Sequence, residues 1–349
     1  MEKGYKILGD YIRLVDERNK NLAVTKLLGV SISKKFIPSI ANIVGTDLSN
    51  YKIVRTGQFA YGPVTSRNGE KISIAYLDEE DCIISSSYTV FEVENREELD
   101  PEYLMLWFSR PEFDRYARYK SHGSVREIFD WNELCMVELP VPDIEKQRKM
   151  VKAYKTITDR ISLKQKINDN LESMLTAVYF EQFYSSKASE YTKLSDLMVF
   201  GNGKSRPKTN GTIPVYGGNG VLSYTDKYNA ENTVLIGRVG AYCGSVYLEQ
   251  SICWVSDNAI FAKSKITNDE FFDYFLLKGL NLFNHHVGTG QQLLTQDILN
   301  NIEVPKPDID QIGMFNMKAK SVFETISANK CEIIRLQKLS DLLLARLAS

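Results

Sequence analysis

The stretch Ile144–Tyr184 contains neither Gly nor Pro. Within it Ile157, Ile161, Lys164, Asn168, Leu171, Leu175 and Val178 follow alternating steps of four and three. That is the spacing of a coiled-coil seam, here with two polar members. At about 1.5 Å per residue such a helix is roughly 60 Å long, so it acts as a spacer inside the chain. A second copy runs over Ile309–Ser349, where Val322, Ile326, Asn329, Ile333, Leu336, Ser340 and Leu343 repeat the same steps. Each member lies 165 positions after its counterpart, Val322 after Ile157 and Leu343 after Val178.

The flanking sequence is also written twice. Leu8-Gly9-Asp10-Tyr11-Ile12 opens the first unit and Leu194-Ser195-Asp196-Leu197-Met198 the second. Glu138-Leu139-Pro140-Val141-Pro142-Asp143-Ile144 closes the first, and Glu303-Val304-Pro305-Lys306-Pro307-Asp308-Ile309 closes the second. Both closings place prolines where a strand stops and a long helix starts. Between them lie strand-like runs rich in β-branched and aromatic residues. In the first head these are Tyr51–Val54, Gln58–Tyr61, Lys71–Leu77 and Cys82–Val93; in the second, Thr233–Ile236, Ser245–Leu248 and Ser251–Lys263. Asp100-Pro101-Glu102 predicts a helix start in the first head, with an acid at the N-cap and Pro behind it. Asn268-Asp269-Glu270 predicts the cap of a helix through Phe271–Leu277 in the second. The chain therefore reads as head, long helix, head, long helix. Two helices of equal length favour an antiparallel pair related by a pseudo-twofold axis, which predicts a dumbbell. The short polar run Tyr184–Tyr191 provides the exit from the first helix.

Composition narrows the class. With 349 residues, 43% hydrophobic and 25% charged, the chain has the make-up of two globular domains. A net charge of −1 neither favours nor excludes nucleic acid, because a basic face can be balanced elsewhere. Cys82, Cys135, Cys243, Cys253 and Cys331 form no CxxC pair, which predicts free thiols. The opening MEKGYKILGDYI lacks a signal-peptide core, and no apolar run approaches the ~20 residues of a membrane span. The expected location is the cytoplasm.

The duplicated order resembles the specificity (S) subunits of type I restriction–modification systems. LGDYI near the start, PVPDIEKQRKMV opening the first helix and PKPDID opening the second carry the likeness. So do YKIVRTGQFAYGPVTSRNG and IPVYGGNGVLSYTDKY with VLIGRVGAYCG, which look like two varieties of target recognition domain. Family members usually carry an E-Q pair after the proline run. Here the first copy has Glu145-Lys146-Gln147 and the second Asp310-Gln311. The resemblance implies an α+β fold with target recognition domains at 1–143 and 186–308 and conserved spacer helices at 144–185 and 309–349. It implies that each head reads one half of a bipartite, asymmetric site in double-stranded DNA while the helices set the unread gap. Two modification (methyltransferase) subunits would dock on the helices, and restriction (translocase/nuclease) subunits would join them. S-adenosylmethionine, ATP and Mg are expected only in those partners, with no cofactor, metal or membrane for this chain.

The residues themselves carry no catalytic constellation. There is no Asn/Asp-Pro-Pro-aromatic motif, no GxGxxG and no GxxxxGK(S/T). Pro142-Asp143-Ile144-Glu145-Lys146 superficially suggests a nuclease, but its second copy lacks the lysine, so both read as helix punctuation. DNA contact needs cations for phosphate and forked donors for base edges. In the first head the candidates are Ser66, Arg67, Asn68 and Lys71 of a polar hairpin tip, with Arg118, Lys120, Ser124 and Arg126 of the basic, aromatic run Arg110–Arg126. In the second they are Lys204, Ser205, Arg206 and Lys208 of a basic loop, with Asn219, Tyr224, Arg238, Tyr242, Gln291 and Gln292. A stand-alone two-headed DNA-binding regulator and a coiled-coil scaffold are the alternatives that these features leave open.

Overall fold

The computed structural model describes residues 4–39, 45–66, 68–123, 126–184, 190–288 and 290–348. It divides into two compact units, Met1–Leu163 with Glu332–Ser349, and Lys164–Cys331. Each unit is one head with part of each long helix. The helices span Ile144–Tyr184 and Ile309–Ala345, the absence of internal Pro allowing unbroken backbone bonding.

In the first unit the opening and closing motifs meet. Tyr5–Ile7 pairs antiparallel with Glu138–Pro140, and the Leu8 amide donates to the Val137 carbonyl. The head's central sheet has four short strands in the order Ile12–Val15, Thr89–Val93, Phe59–Tyr61, Ile74–Tyr76. Two hairpin-like pairs flank it, Leu28–Val30 with Phe36–Pro38 and Lys52–Val54 with Cys82–Ile84. The run Cys82–Val93 is thus two strands, because a turn closes from Tyr88 to Ser85. Phe59 stacks on Phe91 at 4.9 Å and meets Phe108 edge-on at 5.9 Å, the offset and edge geometries that aromatic rings prefer. The helix Pro101–Phe108 begins as the sequence predicts: the Asp100 carboxylate accepts from the Glu102 and Tyr103 amides. Two helices escaped the sequence reading, Pro111–Lys120 and Trp131–Cys135. Val151 of the first long helix and Leu344 and Leu347 beyond Glu332 complete this core.

The second unit repeats the frame around a different sheet. Tyr191–Lys193 pairs antiparallel with Glu303–Pro305, and the Leu194 amide donates to the Ile302 carbonyl. Six strands follow in the order Met198–Asn202, Ala259–Ser264, Ala230–Gly237, Val246–Val255, Ile213–Gly217, Gly220–Thr225. Only Ile213–Gly217 against Val246–Val255 is parallel. The helix Phe271–Gly279 packs its aromatic face on both long helices, with Phe272 against Phe183 and Phe275 against Phe315.

A buried amide fixes each head helix to its long helix. Gln147, fully buried, accepts from the Asp100 amide and donates to the Glu98 and Pro142 carbonyls, each at 2.8 Å. Asn316 does the same work in the second unit. It accepts from the Phe272 amide at 2.8 Å and donates to Thr267 Oγ1 and the Asp269 carbonyl. In the repeat Gln147 corresponds to Ile312 and Asn316 to Val151, so the amide has moved four residues, about one helical turn. The predicted capping by Asn268-Asp269-Glu270 is therefore corrected. Glu270 makes no cap bond. It turns inward to accept from the Ser264 amide, and Asn316 takes the free donor that the helix end leaves.

The predicted seam faces inward along both helices. Every one of its fourteen members is buried or half-buried. Within the second unit, Lys164 Nζ donates to Asn329 Oδ1 and Asn329 Nδ2 donates to Asn168 Oδ1, both at 2.8 Å. Farther along, Tyr179 meets Phe315. Within the first unit Arg160 pairs with Glu332, and Val151 lies in one core with Leu344. Rising numbers on one helix meet falling numbers on the other, so in each unit the helices run antiparallel. The cysteines are free thiols. Among the described residues no helix is long and apolar enough to cross a membrane.

Candidate nucleic-acid interface

In the first head three segments converge on one edge. Val64 and His122 both bridge to Ile128, and the Thr65 amide donates to the Glu127 carbonyl. The Thr65 hydroxyl donates to Ser121 Oγ at 2.9 Å, which brings Ser66 and Asn68 beside the end of the Pro111–Lys120 helix, while the Ile72 amide donates to Asp114 and sets Lys71 by its first turn. Ser66, Lys71 and Arg126 are exposed. Asn68 instead closes its own turn, donating to the Val64 carbonyl at 3.3 Å. Arg67 and Ser124 lie outside the described residues.

The basic run Arg110–Arg126 is largely neutralised where it stands. Arg110 is buried over the Trp107 ring at 4.2 Å, with Glu112 at 3.5 Å. Arg115 pairs with Glu112 and Arg118 with Glu127, while Lys120 sits 3.4 Å from Glu133. Arg126 has no carboxylate within ion-pair distance among the described residues. A hairpin tip adds a cation that the sequence reading missed. Lys34, in a left-handed conformation, lies 2.5 Å from Asp114 and donates to the Ile72 carbonyl. Burial holds its ammonium below the usual range, Asp114 partly offsets this, and Lys71 adds repulsion. Lys35 next to it is exposed. The pairing of Lys34 with Asp114 joins residues 80 apart, so no local pattern announces it.

In the second head the candidates form two adjoining groups at loop ends of the six-stranded sheet. The first is the loop after Met198–Asn202. The Lys204 amide donates to the Val255 carbonyl, and Trp254 Nε1 donates to the Lys204 carbonyl. Gly203 is required there, since a Cβ would stand 1.9 Å from the Ser256 carbonyl oxygen. With the backbone fixed, the side chains of Lys204, Ser205, Arg206 and Lys208 project exposed. None of these three cations has an acid partner among the described residues. The loop continues to Thr209, whose hydroxyl meets Thr225 at 2.9 Å, which sets exposed Tyr224 beside it.

The second group is built on the Gly237–Gly244 loop. The Arg238 amide donates to the Asn258 carbonyl, and the Leu294 amide donates to the Arg238 carbonyl. Ser245 Oγ donates to the Gly218 carbonyl at 2.5 Å, seating the turn that carries exposed Asn219. Gly237 lies in the contact: a Cβ would fall 2.1 Å from the Tyr242 carbonyl oxygen. The Gly240 amide donates to the Gln292 carbonyl, while Val239 and Val287 both bridge to Leu293. Arg238, Tyr242, Asn219, Gln291 and Gln292 thus share one loop cluster, with Tyr242 and Gln291 exposed and Gln292 half-buried.

The two aspartates of the nuclease-like runs are structural. Asp143 accepts from the Lys146 amide and Asp308 from the Asp310 amide, which caps the two long helices. Among the described residues no three His, Cys, Asp or Glu side chains are grouped to hold a metal ion.

Comparison with known proteins follows the internal repeat. The type I restriction modification DNA specificity domain model matches the chain twice, over residues 31–173 and 187–339. The specificity subunit of the type I restriction enzyme HindI from Haemophilus influenzae is 23% identical over 183 residues, which is 50% of this chain and 39% of that protein. The chain thus spans about two-fifths of that curated relative in the match. The crystal structure of a type I restriction–modification S subunit from M. genitalium superposes with a TM-score of 0.64 at 15% identity, covering 99% of this chain and 96% of that one. A structure described as showing complex assembly and conformational transition of the type I R-M system gives 0.50 at 18% identity, covering 98% and 96%. At these identities the superpositions establish a shared fold, and the two matched copies establish descent: the chain belongs to the type I restriction modification DNA specificity family.

Proposed function

We propose that this chain is the DNA-reading, non-catalytic subunit of a type I restriction–modification complex. Each head reads one half of a bipartite site, and the long helices set the gap. The carrying observation is the duplicated frame. Strand pairing at Tyr5–Ile7 and at Tyr191–Lys193 holds two differently built heads in the same way. Each head then presents an edge of loop-borne polar and cationic groups on a fixed backbone, the arrangement that a changeable reading surface needs.

Partners are read from the helices. Exposed Leu163, Ile334, Leu339 and Leu342 in the first unit, and Ile167, Met174, Met314 and Met317 in the second, leave apolar surface suited to docked modification subunits. The restriction subunits would assemble on that complex. Those partners, and not this chain, would bring S-adenosylmethionine, ATP and Mg, and the assembly would work in the cytoplasm. Family membership disfavours the stand-alone regulator and the scaffold.

The test is a methylome of cells expressing the chain with its modification subunit, together with a head exchange. Replacing Thr192–Glu303 with the matching head of a relative cuts within the paired strands, where Lys193 lies opposite Glu303. A bipartite methylated motif is expected, with one half-site altered by the exchange. No methylated motif, both half-sites altered, or methyl transfer by the chain without its partner would overturn the proposal.

A further inference from the structure

Four arginines among the described residues are buried or half-buried: Arg18, Arg110, Arg118 and Arg238. The first three are paired with carboxylates, Arg18 with Asp16, Arg110 with Glu112 and Arg118 with Glu127. Arg110 also leaves its Nε unbonded, but its guanidinium rests over the Trp107 ring at 4.2 Å. Arg238 has neither device. Its Nε is sealed from solvent without an acceptor, and no carboxylate or aromatic ring meets its guanidinium among the described residues.

The backbone under Arg238 is fixed. Its amide donates to the Asn258 carbonyl, and its carbonyl accepts from the Leu294 amide and from Cys243 Sγ. Gly237 before it admits no side chain. An Nε kept dry without an acceptor is unfavourable, and the two terminal amino groups, which are not sealed, are the donors open to an acceptor that arrives from outside. Around it stand Asn219, Tyr242 and Gln291, all exposed.

We infer that Arg238 is a specificity-determining residue of the second head, whose guanidinium reads one guanine through its O6 and N7. This rests on the reading of that head as a DNA reader and deepens it. Lys204, Arg206 and Lys208 stand exposed on a neighbouring loop with no acid partner among the described residues, which suits phosphate. Arg238 is the half-buried cation on a fixed backbone, which suits a forked donor pair placed against a base edge. Lysine at this position keeps the charge and loses the fork.

The test uses the complex with its modification subunit, Arg238→Lys and Arg238→Gln. The duplex identified by the methylome and a panel exchanging each base pair in turn are the probes. Binding is measured across salt concentration, and head folding is followed by hydrogen exchange. R238K is expected to weaken cognate binding roughly 5- to 150-fold, the range set by one bidentate base contact. It should erase discrimination at a single G·C pair in one half-site and leave the salt slope and the other half-site unchanged. Full discrimination by R238K, or a slope lowered by about 0.9 in R238Q with discrimination intact, means a phosphate contact and overturns the inference. Loss of protection throughout the second head in both variants means a structural role and also overturns it. A wild-type complex without sequence preference sinks the DNA reading itself, a distinguishable result.

Discussion

Replacing Asp273 with Asn tests whether a carboxylic acid is kept neutral inside the second head. Asp273 sits on the Phe271–Gly279 helix, 1% exposed, and among the described residues neither oxygen has a hydrogen-bond partner. Burial drives its pKa up from 3.8 to about 8; Ser264 pulls it down and the neighbouring Glu270 pushes it up. Glu270 is itself raised by burial, with Lys263 acting against that. Tyr179 of the first long helix has its hydroxyl pushed up mainly by burial, with a smaller contribution from the charge of the same carboxyl. The sign follows from proton binding. Between about pH 4 and pH 8 the unfolded chain has released this proton and the folded head has kept it, so stability falls as pH rises, then levels off above 8. At about 1.4 kcal/mol per pH unit, the head loses on the order of 3 kcal/mol between pH 5.5 and 7.5 from this group. Asn cannot ionise, so its own packing cost is a constant offset. Opening free energies of the Phe271–Gly279 amides, measured by hydrogen exchange at both pH values, should therefore drift apart by that amount between wild type and D273N. A difference that stays the same at both pH values would refute the reasoning, since it would mean that Asp273 is already ionised in the fold.

Gln147→Ala strands the Asp100 amide and the Glu98 and Pro142 carbonyls together. It should cost about 2–4 kcal/mol in urea unfolding of the first unit, whereas Gln311→Ala, at an exposed position, should cost less than about 0.5. Neutralising Lys204, Arg206 and Lys208 together should lower the salt slope of DNA binding by about 2.7. Arg118→Gln, which releases Glu127 and a long bond to the Thr65 hydroxyl, should lower it by less than one, measured by the same titration.

The long helices and their seam were legible because helix periodicity is local and the chain states it twice. Seam positions as unlike a leucine as Lys164, Asn168 and Asn329 still face inward, where they satisfy one another. The cap at Asp100 was legible for the same reason: the amides that donate to it are two and three residues away. The second cap was misread because its partner, Asn316, lies 44 residues downstream of Phe272. Charge was the least legible property of the candidate interface. Arg118, Lys120 and Lys34 look like free cations until the fold brings Glu127, Glu133 and Asp114 to them. Lys204, Arg206 and Lys208 look the same in sequence and differ in that, among the described residues, no acid is folded against them.

The place of Leu344 and Leu347 bears on how the chain is made. Both belong to the core of the first head, with Val151 and Phe108. The second unit, Lys164–Cys331, is contiguous, while the first needs residues from beyond Glu332. A ribosome adding about 5–20 residues per second takes roughly 10–40 s to travel the approximately 180 residues from Leu163 to Leu344. Throughout that interval the first head to emerge lacks part of its core, whereas the second needs nothing from beyond Cys331 and is complete first. The order of completion thus runs opposite to the order of synthesis, and the nascent first head exposes apolar surface for a chaperone or a stray neighbour until Leu344 and Leu347 arrive.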